Sequence, residues 1–436
     1  MMLPKMYRKA TLAAVGLLAV GVGSASHAQT PPPQSYGPPQ VIASFPQDSM
    51  QNPPALHPYG TLAIDSAGNL FGVAQSGGMY TFGSVWKLAA GGSAIQTLGL
   101  FNWSGNGAGP QGATLDIAGN VIGVTDSAGP NSAGTLWEVP HATTSPGPLQ
   151  VLWNYYFPTG ANPMGTVTFD SHGNMYGTTT VGGSPNGNPG NGVVWQLPNA
   201  NAATYPVSAP SYNPAAWTVL FRFDGTNNPS AGYGPQGPVS FDSQDNMFGT
   251  TMLGGAAGQG TIWEIPKGGS YRVLASFSGT TGSGSKIVVT LDANGNLYGT
   301  TPTGGGTSGG QGTVWKLPKN ANGTYGALTV LAVFDGVTNG KTPNGGVTID
   351  RYGNLLGTTS AGNQPPSGGT VWEIKNNNGV YSPLTTLYNF TLSNQDVAGA
   401  YSGLVLDSHG NLWGTTHSLG ANHNGTVYKM ATSQPY

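Results

Sequence analysis

VTLDANGNLYGTTPTGGGTSGGQGTVWKLP, residues 289–318, recurs in recognisable copies that together span most of the 436-residue chain. Each copy has a turn of the form Asp-x-x-Gly-Asn, an apolar element ending in Gly-Thr-Thr or a variant, a glycine-rich loop and an aromatic residue on a further apolar run. Successive aspartates lie 50 to 72 residues apart. The seven aligned aspartates are Asp65, Asp116, Asp170, Asp242, Asp292, Asp350 and Asp407. A period near 50 residues with four apolar segments is typical of one four-stranded propeller blade.

A second aligned position is aromatic in every copy. It is occupied by Trp86, Trp137, Trp195, Trp263, Trp315, Trp372 and Tyr428. Large aromatics at equivalent places in successive repeats are typical of a core shared by neighbouring blades. A sugar-stacking platform is the alternative role. The glycine of the Gly-Thr-Thr element interrupts a strand, which we expect where an aromatic of the same or the adjacent blade packs closely on it.

The aspartates have a structural interpretation and a functional one. An Asp side chain in such a turn accepts hydrogen bonds from backbone N–H groups, and the Gly supplies a positive φ. In the fourth copy Asp245 replaces that Gly, which is tolerable because Asp also visits this region of backbone space. A ring of cation sites at the turns is the alternative.

The two ends of the repeated region are complementary. After Tyr428 the sequence reaches Tyr436 without a fourth strand for the seventh copy, whereas residues 41–45 precede the first copy and nearly duplicate residues 273–277. We therefore predict an all-β fold, a seven-bladed β-propeller of four-stranded blades whose last blade is completed by the N-terminal strand 41–45. Such closure removes exposed sheet edges. An open β-solenoid does not explain the complementary ends.

Charged residues make up only 7% of the chain, and the formal net charge is −2. Average soluble domains are about 25% charged. Neither a nucleic-acid-binding patch nor a basic membrane-binding face is therefore expected. The absence of cysteine excludes disulfides, thiolate metal sites, a cysteine nucleophile and a lipid-modified cysteine.

The N-terminus has the form of a secretory signal peptide, predicted to span residues 1–28. Lys5, Arg8 and Lys9 precede an apolar run, and Ser-His-Ala at residues 26–28 matches a small-x-small cleavage site. The apolar run is too short to span a membrane comfortably.

A proline-rich linker is expected at residues 29–40, followed by the propeller at 41–436. We predict a monomer that is secreted or periplasmic and is not inserted in a membrane after signal cleavage.

The pattern Asp-x-x-Gly-Asn-Leu-Tyr-Gly-Thr-Thr, then Gly-Gly, then Gly-Thr-Val-Trp-Lys-Leu, quoted from residues 292–317, resembles the Gloeo_Verruco (GloVer) tandem repeats of exported bacterial proteins. The resemblance covers nearly all of residues 41–430. It implies a secreted repeat protein of unassigned biochemistry, often carrying a C-terminal surface anchor. No apolar tail or sorting motif follows Lys429, which favours free secretion or periplasmic residence. The resemblance transfers no catalytic residues.

Propeller ligands usually enter at the mouth of the central channel. If strands alternate in direction, the residue just before the first strand of each blade lines that mouth, on the face opposite the Asp turns. The predicted mouth residues are Tyr59, Gln111, Met164, Gln236, Lys286, Asn344 and, in the last blade, Tyr401 or Ser402. This ring is polar and nearly uncharged, so it suits a carbohydrate or a peptide better than a phosphate.

One sector is richer in acid–base groups. Ring closure makes the first and seventh blades neighbours, which could bring His57, Asp396, His417 and His423 together, with Asp48 nearby. Imidazoles with a carboxylate can hold a divalent metal or act in general acid–base catalysis. His57, Asp396 and His417 are thus the catalytic candidates and these three with His423 the metal candidates. Exposed loop histidines near a seam are the alternative.

Two functions follow from the sequence. The first is a non-catalytic binding or scaffold propeller for carbohydrate or peptide, because nearly every repeated residue has a structural role. The second is a propeller enzyme, a glycan or lactone hydrolase or lyase, using the seam of the first and seventh blades. No cofactor signature is evident, although the seam residues could hold a divalent metal.

Overall fold

Each repeat folds into one antiparallel sheet in the computed structural model, which describes residues 34–46, 55–77, 80–184, 190–202, 210–306, 310–362, 367–391, 399–418 and 420–436. The chain divides into two units, Met1–Gln34 and Ser35–Tyr436, and the second contains all the strands described here. The predicted signal peptide lies outside the described residues, as does part of the predicted linker.

The strands fall into seven blades, and each blade has an inner, a second, a third and an outer strand. The first strand of the chain is β1 (Gln40–Ser44). Blade 1 contains β2 (Ala55–Ile64), β3 (Leu70–Gly77), β4 (Ser84–Leu88) and β5 (Ile95–Leu100). Blade 2 contains β6 (Ala108–Pro110), β7 (Thr114–Leu115), β8 (Val121–Ser127), β9 (Thr135–Val139) and β10 (Gln150–Asn154). Both β6 and β7 pair with β8, so the inner strand of blade 2 is split.

The next three blades have four strands each. Blade 3 contains β11 (Thr168–Phe169), β12 (Met175–Thr179), β13 (Val193–Leu197) and β14 (Thr218–Arg222). Blade 4 contains β15 (Ser240–Phe241), β16 (Met247–Thr251), β17 (Thr261–Ile265) and β18 (Arg272–Ser276). Blade 5 contains β19 (Thr290–Leu291), β20 (Leu297–Thr301), β21 (Thr313–Leu317) and β22 (Thr329–Val333).

The last two blades complete the ring. Blade 6 contains β23 (Thr348–Ile349), β24 (Leu355–Thr359), β25 (Ser367–Ile374) and β28 (Thr385–Thr391), with a small hairpin of β26 (Asn376–Asn377) and β27 (Val380–Tyr381). Blade 7 contains β29 (Val405–Leu406), β30 (Leu412–Thr416) and β31 (Thr426–Met430). Single-turn 3-10 helices span Phe157–Thr159, Pro214–Ala216 and Pro229–Ala231. Within the described ranges, no helix has the length and apolar character needed to cross a membrane.

The N-terminal strand supplies the outer strand of the last blade. The sheet order is β1-β31-β30-β29, and β1 runs antiparallel to β31. The prediction of a seven-bladed propeller closed in this way is therefore confirmed. Pairing also extends before β1, because Gly37 N–H donates to the Ala431 carbonyl and Tyr36 bridges Thr432. The last part of the predicted linker thus lies against the seventh blade.

The repeated aspartates cap the turn between the inner and second strands of each blade. In blade 5, Asp292 Oδ1 accepts from the N–H groups of Asn294 and Asn296, each at 2.9 Å, and its Oδ2 accepts from the Asn296 amide at 2.7 Å. The same three bonds form in the other six blades. Asp245 has φ 60°, close to the values of the glycines it replaces. These carboxylates are therefore occupied as turn caps.

The aromatic position forms the core between blades. Trp137 of blade 2 is fully buried in a cluster with Phe71 and Val85 of blade 1. Trp315 of blade 5 likewise packs with Phe248 and Phe277 of blade 4. Because each cluster draws side chains from two blades, burial of apolar surface holds neighbouring blades together.

Threonines link the inner strands of neighbouring blades around part of the channel. Thr168 Oγ1 donates to the Val239 carbonyl of the next blade at 2.7 Å, and Thr290 Oγ1 donates to Val347 at 2.6 Å. Because the inner strands are held together in this way, the residues that precede them come to one opening on the face opposite the Asp turns.

Candidate ligand-binding site

The seven predicted mouth residues line one cavity at the centre of the propeller. The cavity has a volume of about 240 Å³. Its lining includes Tyr59, Gln111, Met164, Gln236, Lys286, Asn344 and Tyr401, one from each blade. In the last blade Ser402 is instead buried, and its hydroxyl donates to the Thr415 carbonyl. The volume is below the roughly 300–1,000 Å³ of sites for drug-sized ligands, so the cavity suits one small ligand ring or the end of an oligomeric ligand.

A second ring of residues lies behind the mouth. It is formed by the position directly after the Gly-Thr-Thr element, and in three blades its side chain contacts the mouth residue of the same blade. Asp126 accepts from Gln111, and Ser360 accepts from Asn344. In blade 7, the His417 ring lies edge-on to Tyr401. The mouth residues are therefore positioned by a set of side chains that differs from blade to blade.

Gln111 has a fixed orientation at the mouth. Its Nε2 donates to the Gly109 carbonyl and to Asp126 Oδ2, both at 2.9 Å. Because both partners are acceptors, the amide must direct its NH₂ group toward them, which leaves Oε1 as the acceptor available to a ligand. Burial raises the pKa of Asp126, and the Ser127 hydroxyl bonded to its Oδ1 opposes that effect.

Four aromatic rings form an arc from the mouth to the seam of blades 1 and 7. Tyr59 and Tyr401 have ring centroids 6.4 Å apart, and Tyr401 lies 5.2 Å from His417. His417 stacks on His57 with centroids 4.7 Å apart and an interplanar angle of 21°. We call Tyr59, Tyr401, His417 and His57 the aromatic arc. Burial, and then the nearby Asp126 carboxylate, raise the pKa of Tyr59, so its phenol stays protonated.

The two seam histidines are held by hydrogen bonds as well as by stacking. His57 Nδ1 lies 2.9 Å from the His417 carbonyl oxygen, and the His57 N–H donates to the Asn424 carbonyl. Because the carbonyl only accepts, Nδ1 of His57 must carry a proton. Burial, with a further contribution from His57, lowers the pKa of His417 to about 4. His417 is therefore a neutral, weakly basic imidazole at neutral pH.

The structure brings together only part of the predicted seam cluster. His57 and His417 are in contact, whereas His423 is exposed in the loop before β31. Asp396 and Asp48 lie outside the described residues. In the part of the chain that the structure describes, no three His, Asp or Glu side chains are arranged to hold a metal ion. The catalytic and metal roles of these residues remain predictions.

Comparison with known families assigns the repeats. The Gloeobacter/Verrucomicrobia repeat family matches residues 37–211 and 210–428. The chain belongs to this family. No curated protein sequence matches the chain.

Solved structures are similar to this family member at low sequence identity. One is the extracellular domain of a candidate one-component system from B. thetaiotaomicron, with a TM-score of 0.49, 11% identity, 88% of this chain covered and 39% of that chain covered. Another is a candidate 6-phosphogluconolactonase from Bacteroides uniformis, with a TM-score of 0.48, 13% identity, and 83% and 99% coverage. A protein of unknown function from Dyadobacter fermentans has a TM-score of 0.44, 9% identity, and 92% and 100% coverage. Similarity at this level says nothing about activity.

Asp126 is the site residue that the sequence analysis did not select. It stands after the Gly-Val-Thr of the second repeat, at the position that His417 occupies in the seventh. Aligning this position across the seven repeats would have shown that its residue differs from blade to blade. The blade geometry then places the position next to the mouth.

Proposed function

We propose that the protein is a non-catalytic binding module that takes a carbohydrate at the channel mouth. The aromatic arc beside the cavity is the observation that supports this function best. Flat aromatic faces that end in hydroxyl or imidazole groups offer an apolar surface next to hydrogen-bonding groups. A sugar ring has the complementary combination of apolar C–H faces and hydroxyl groups.

The polar side of the mouth supports the same ligand class. Gln111 presents an oriented acceptor, and Gln236 and Asn344 add amide groups. Such groups bind hydroxyl groups directly, and oriented groups lose little freedom on binding. A peptide is the competing ligand, because its backbone offers the same donors and acceptors.

The predicted signal peptide at residues 1–28 supports a secreted or periplasmic location for this function. We also expect the mature protein to act as a monomer.

The experiment is glycan and peptide array binding by the mature chain, followed by calorimetry with the best ligand. The Tyr401→Ala variant should weaken saccharide binding by about tenfold or more, since a truncated aromatic anchor typically costs over 1 kcal/mol. Tyr80→Ala is the matched control, because Tyr80 is 50% exposed and does not line the cavity. Exclusive binding of peptides, or full retention of saccharide binding by Tyr401→Ala, would contradict the proposal.

The stacked imidazoles at the seam favour one second function, hydrolysis of a glycan or lactone. A neutral imidazole beside the mouth can act as a general base, although a pKa of about 4 makes His417 a weak one at neutral pH. If the wild type turns over a ligand and His417→Gln loses this turnover but keeps the affinity for the ligand, the enzyme function is supported. Binding without turnover in the wild type would support the binding module.

A further inference from the structure

The mouth contains one charged side chain without a partner. Lys286 is exposed and lines the cavity, and the described lining residues include no carboxylate. Across the described ranges, every other Lys and Arg side chain except Lys341 contacts a carboxylate, a backbone carbonyl or an aromatic ring. One of the few cations of the described residues is thus unpartnered at the wall of the cavity.

The second ring explains why Lys286 has no partner. In blades 2 and 6 the position after the Gly-Thr-Thr element supplies a polar side chain that accepts from the mouth residue. In blade 5 that position is Pro302, whose side chain has no acceptor. The ammonium group of Lys286 is therefore left for solvent or for a ligand.

The charges around the mouth are arranged asymmetrically. Lys286 belongs to blade 5, whereas Asp126 lies behind Gln111 in blade 2, across the channel. The aromatic arc lies between these two sides, at blades 7 and 1. A ligand ring stacked on Tyr401 that carries an anionic group would place that group toward blade 5 and away from Asp126, because opposite charges attract and like charges repel.

From the unpartnered Lys286, which lines the same mouth as Tyr59 and Tyr401 of the aromatic arc, we infer that the saccharide bound at the mouth carries a carboxylate, so that the ligand is a uronic acid or a chain containing one. This inference rests on the proposed carbohydrate-binding function. The sugar ring stacks on the aromatic arc, its hydroxyls bond Gln111 and the other mouth amides, and its carboxylate pairs with Lys286. The cavity volume of about 240 Å³ allows one ring to enter.

The test uses matched ligands that differ at the carboxyl group, which is charged in the acid and neutral in its methyl ester. Trigalacturonate and triglucuronate are compared with their methyl esters by calorimetry on the mature chain, and the free monosaccharide acids distinguish a single uronate from a chain. The acids should bind about threefold to fivefold more tightly than the esters at 50 mM NaCl, as expected for one exposed ion pair. The preference should shrink at 500 mM NaCl because salt screens it.

Two variants locate the charge. Lys286→Gln should reduce the preference for the acids to within about twofold, mainly by weakening the binding of the acids. Lys341→Gln is the control, since Lys341 also has no partner in the described ranges but does not line the cavity, and it should keep the full preference. Both variants should unfold at the wild-type temperature, because neither ammonium group has a hydrogen-bond or ion-pair partner in the described ranges.

The outcomes separate this inference from the proposed function. If acids and esters bind equally well and Tyr401→Ala abolishes binding of both, the uronate inference is overturned and the proposed carbohydrate-binding function stands. Loss of the acid preference in Lys341→Gln instead of Lys286→Gln would also overturn it. Absence of any saccharide binding, or binding of peptide carboxylates at Lys286, would overturn both.

Discussion

Gly299 and Trp315 show how the identity of a repeated residue depends on its partner in the adjacent strand. Gly299 pairs with Trp315 in adjacent strands, and a Cβ added to the glycine would overlap the indole ring. The equivalent glycines of the other blades meet their own Trp, or Tyr428, in the same way. The glycine is therefore present because the indole occupies the space above it, and the indole in turn fills the gap between blades.

Gly299→Ala should lower the free energy of unfolding by about 1–3 kcal/mol, since an extra methyl group in a close-packed core forces the indole to move. Urea unfolding measures the change. Gly279→Ala is the control, because no heavy atom lies within 4 Å of an added Cβ there. Equal effects at the two glycines would contradict the packing explanation.

His417 should make the stability depend on pH. Burial lowers its pKa from 6.5 to about 4, so the unfolded chain takes up a proton at higher pH than the folded chain does. The free energy of unfolding should therefore fall as the pH falls from about 6.5 to about 4. After allowing for screening by solvent at this half-buried site, the loss is about 1–2 kcal/mol.

Urea unfolding of wild type and His417→Gln between pH 4 and pH 7.5 tests this expectation, with the difference between the two proteins as the quantity of interest. His409→Gln is the control, because His409 is exposed in the Asp turn of the same blade on the opposite face. Parallel pH profiles for wild type and His417→Gln would rule out the linkage.

Strand β1 is the element on which closure of the ring depends. Strand β1 pairs with β31, and further hydrogen bonds hold the residues that follow β1. The Asn422 side chain donates to the Phe45 carbonyl, and the Asn424 side chain donates to the Pro46 carbonyl. The Phe45 ring is fully buried and lies edge-on to Trp86 of blade 1, with centroids 5.3 Å apart. The strand thus joins blades 7 and 1 through its ladder and through its apolar end.

Phe45→Ala should cost about 3–5 kcal/mol of stability, because it removes a large buried ring from the seam. Val41→Ala, within β1, should cost less than about 1 kcal/mol, since Val41 is 44% exposed. Guanidinium unfolding measures both. A small effect of Phe45→Ala would show that the seam contributes little to closure.

The whole molecule behaves as a ring in which no blade has a core of its own. The buried clusters combine residues of successive blades, such as Phe248 of blade 4 with Leu297 and Trp315 of blade 5. In an open repeat array, the terminal units have only one neighbour and can unfold first. Closure by β1 gives every blade two neighbours, so loss of one blade exposes the cores of two others.

Calorimetry should therefore show one unfolding transition with equal calorimetric and van't Hoff enthalpies. Phe45→Ala should lower the midpoint by about 4–6 °C, given the unfolding entropy of a chain of this size, and the transition should stay single. Two resolved transitions in the wild type would contradict a fully coupled ring.

Much of the mouth could be predicted from the sequence because one position per repeat precedes the inner strand. Once the repeat is aligned and the blades are closed, Tyr59, Lys286 and Tyr401 must meet at the channel. Their partners were not predictable in the same way. Whether Gln111 contacts Asp126, or His417 stacks on His57, depends on side-chain orientation and on how the last blade meets the first.

The sequence by itself determined the number of blades, the closing strand and the residues at the mouth, since these follow from the repeat period, the complementary ends and alternation along strands. Only the tertiary structure decided which of the seam histidines meet, how far the segment before β1 pairs with the seventh blade, and that Lys286 alone among the mouth residues carries a charge without a partner. The physical reason is the sequence separation over which each interaction acts. Turn chemistry and strand periodicity act over a few residues, whereas the pairing of His57 with His417 joins residues from opposite ends of the repeated region through the closed ring.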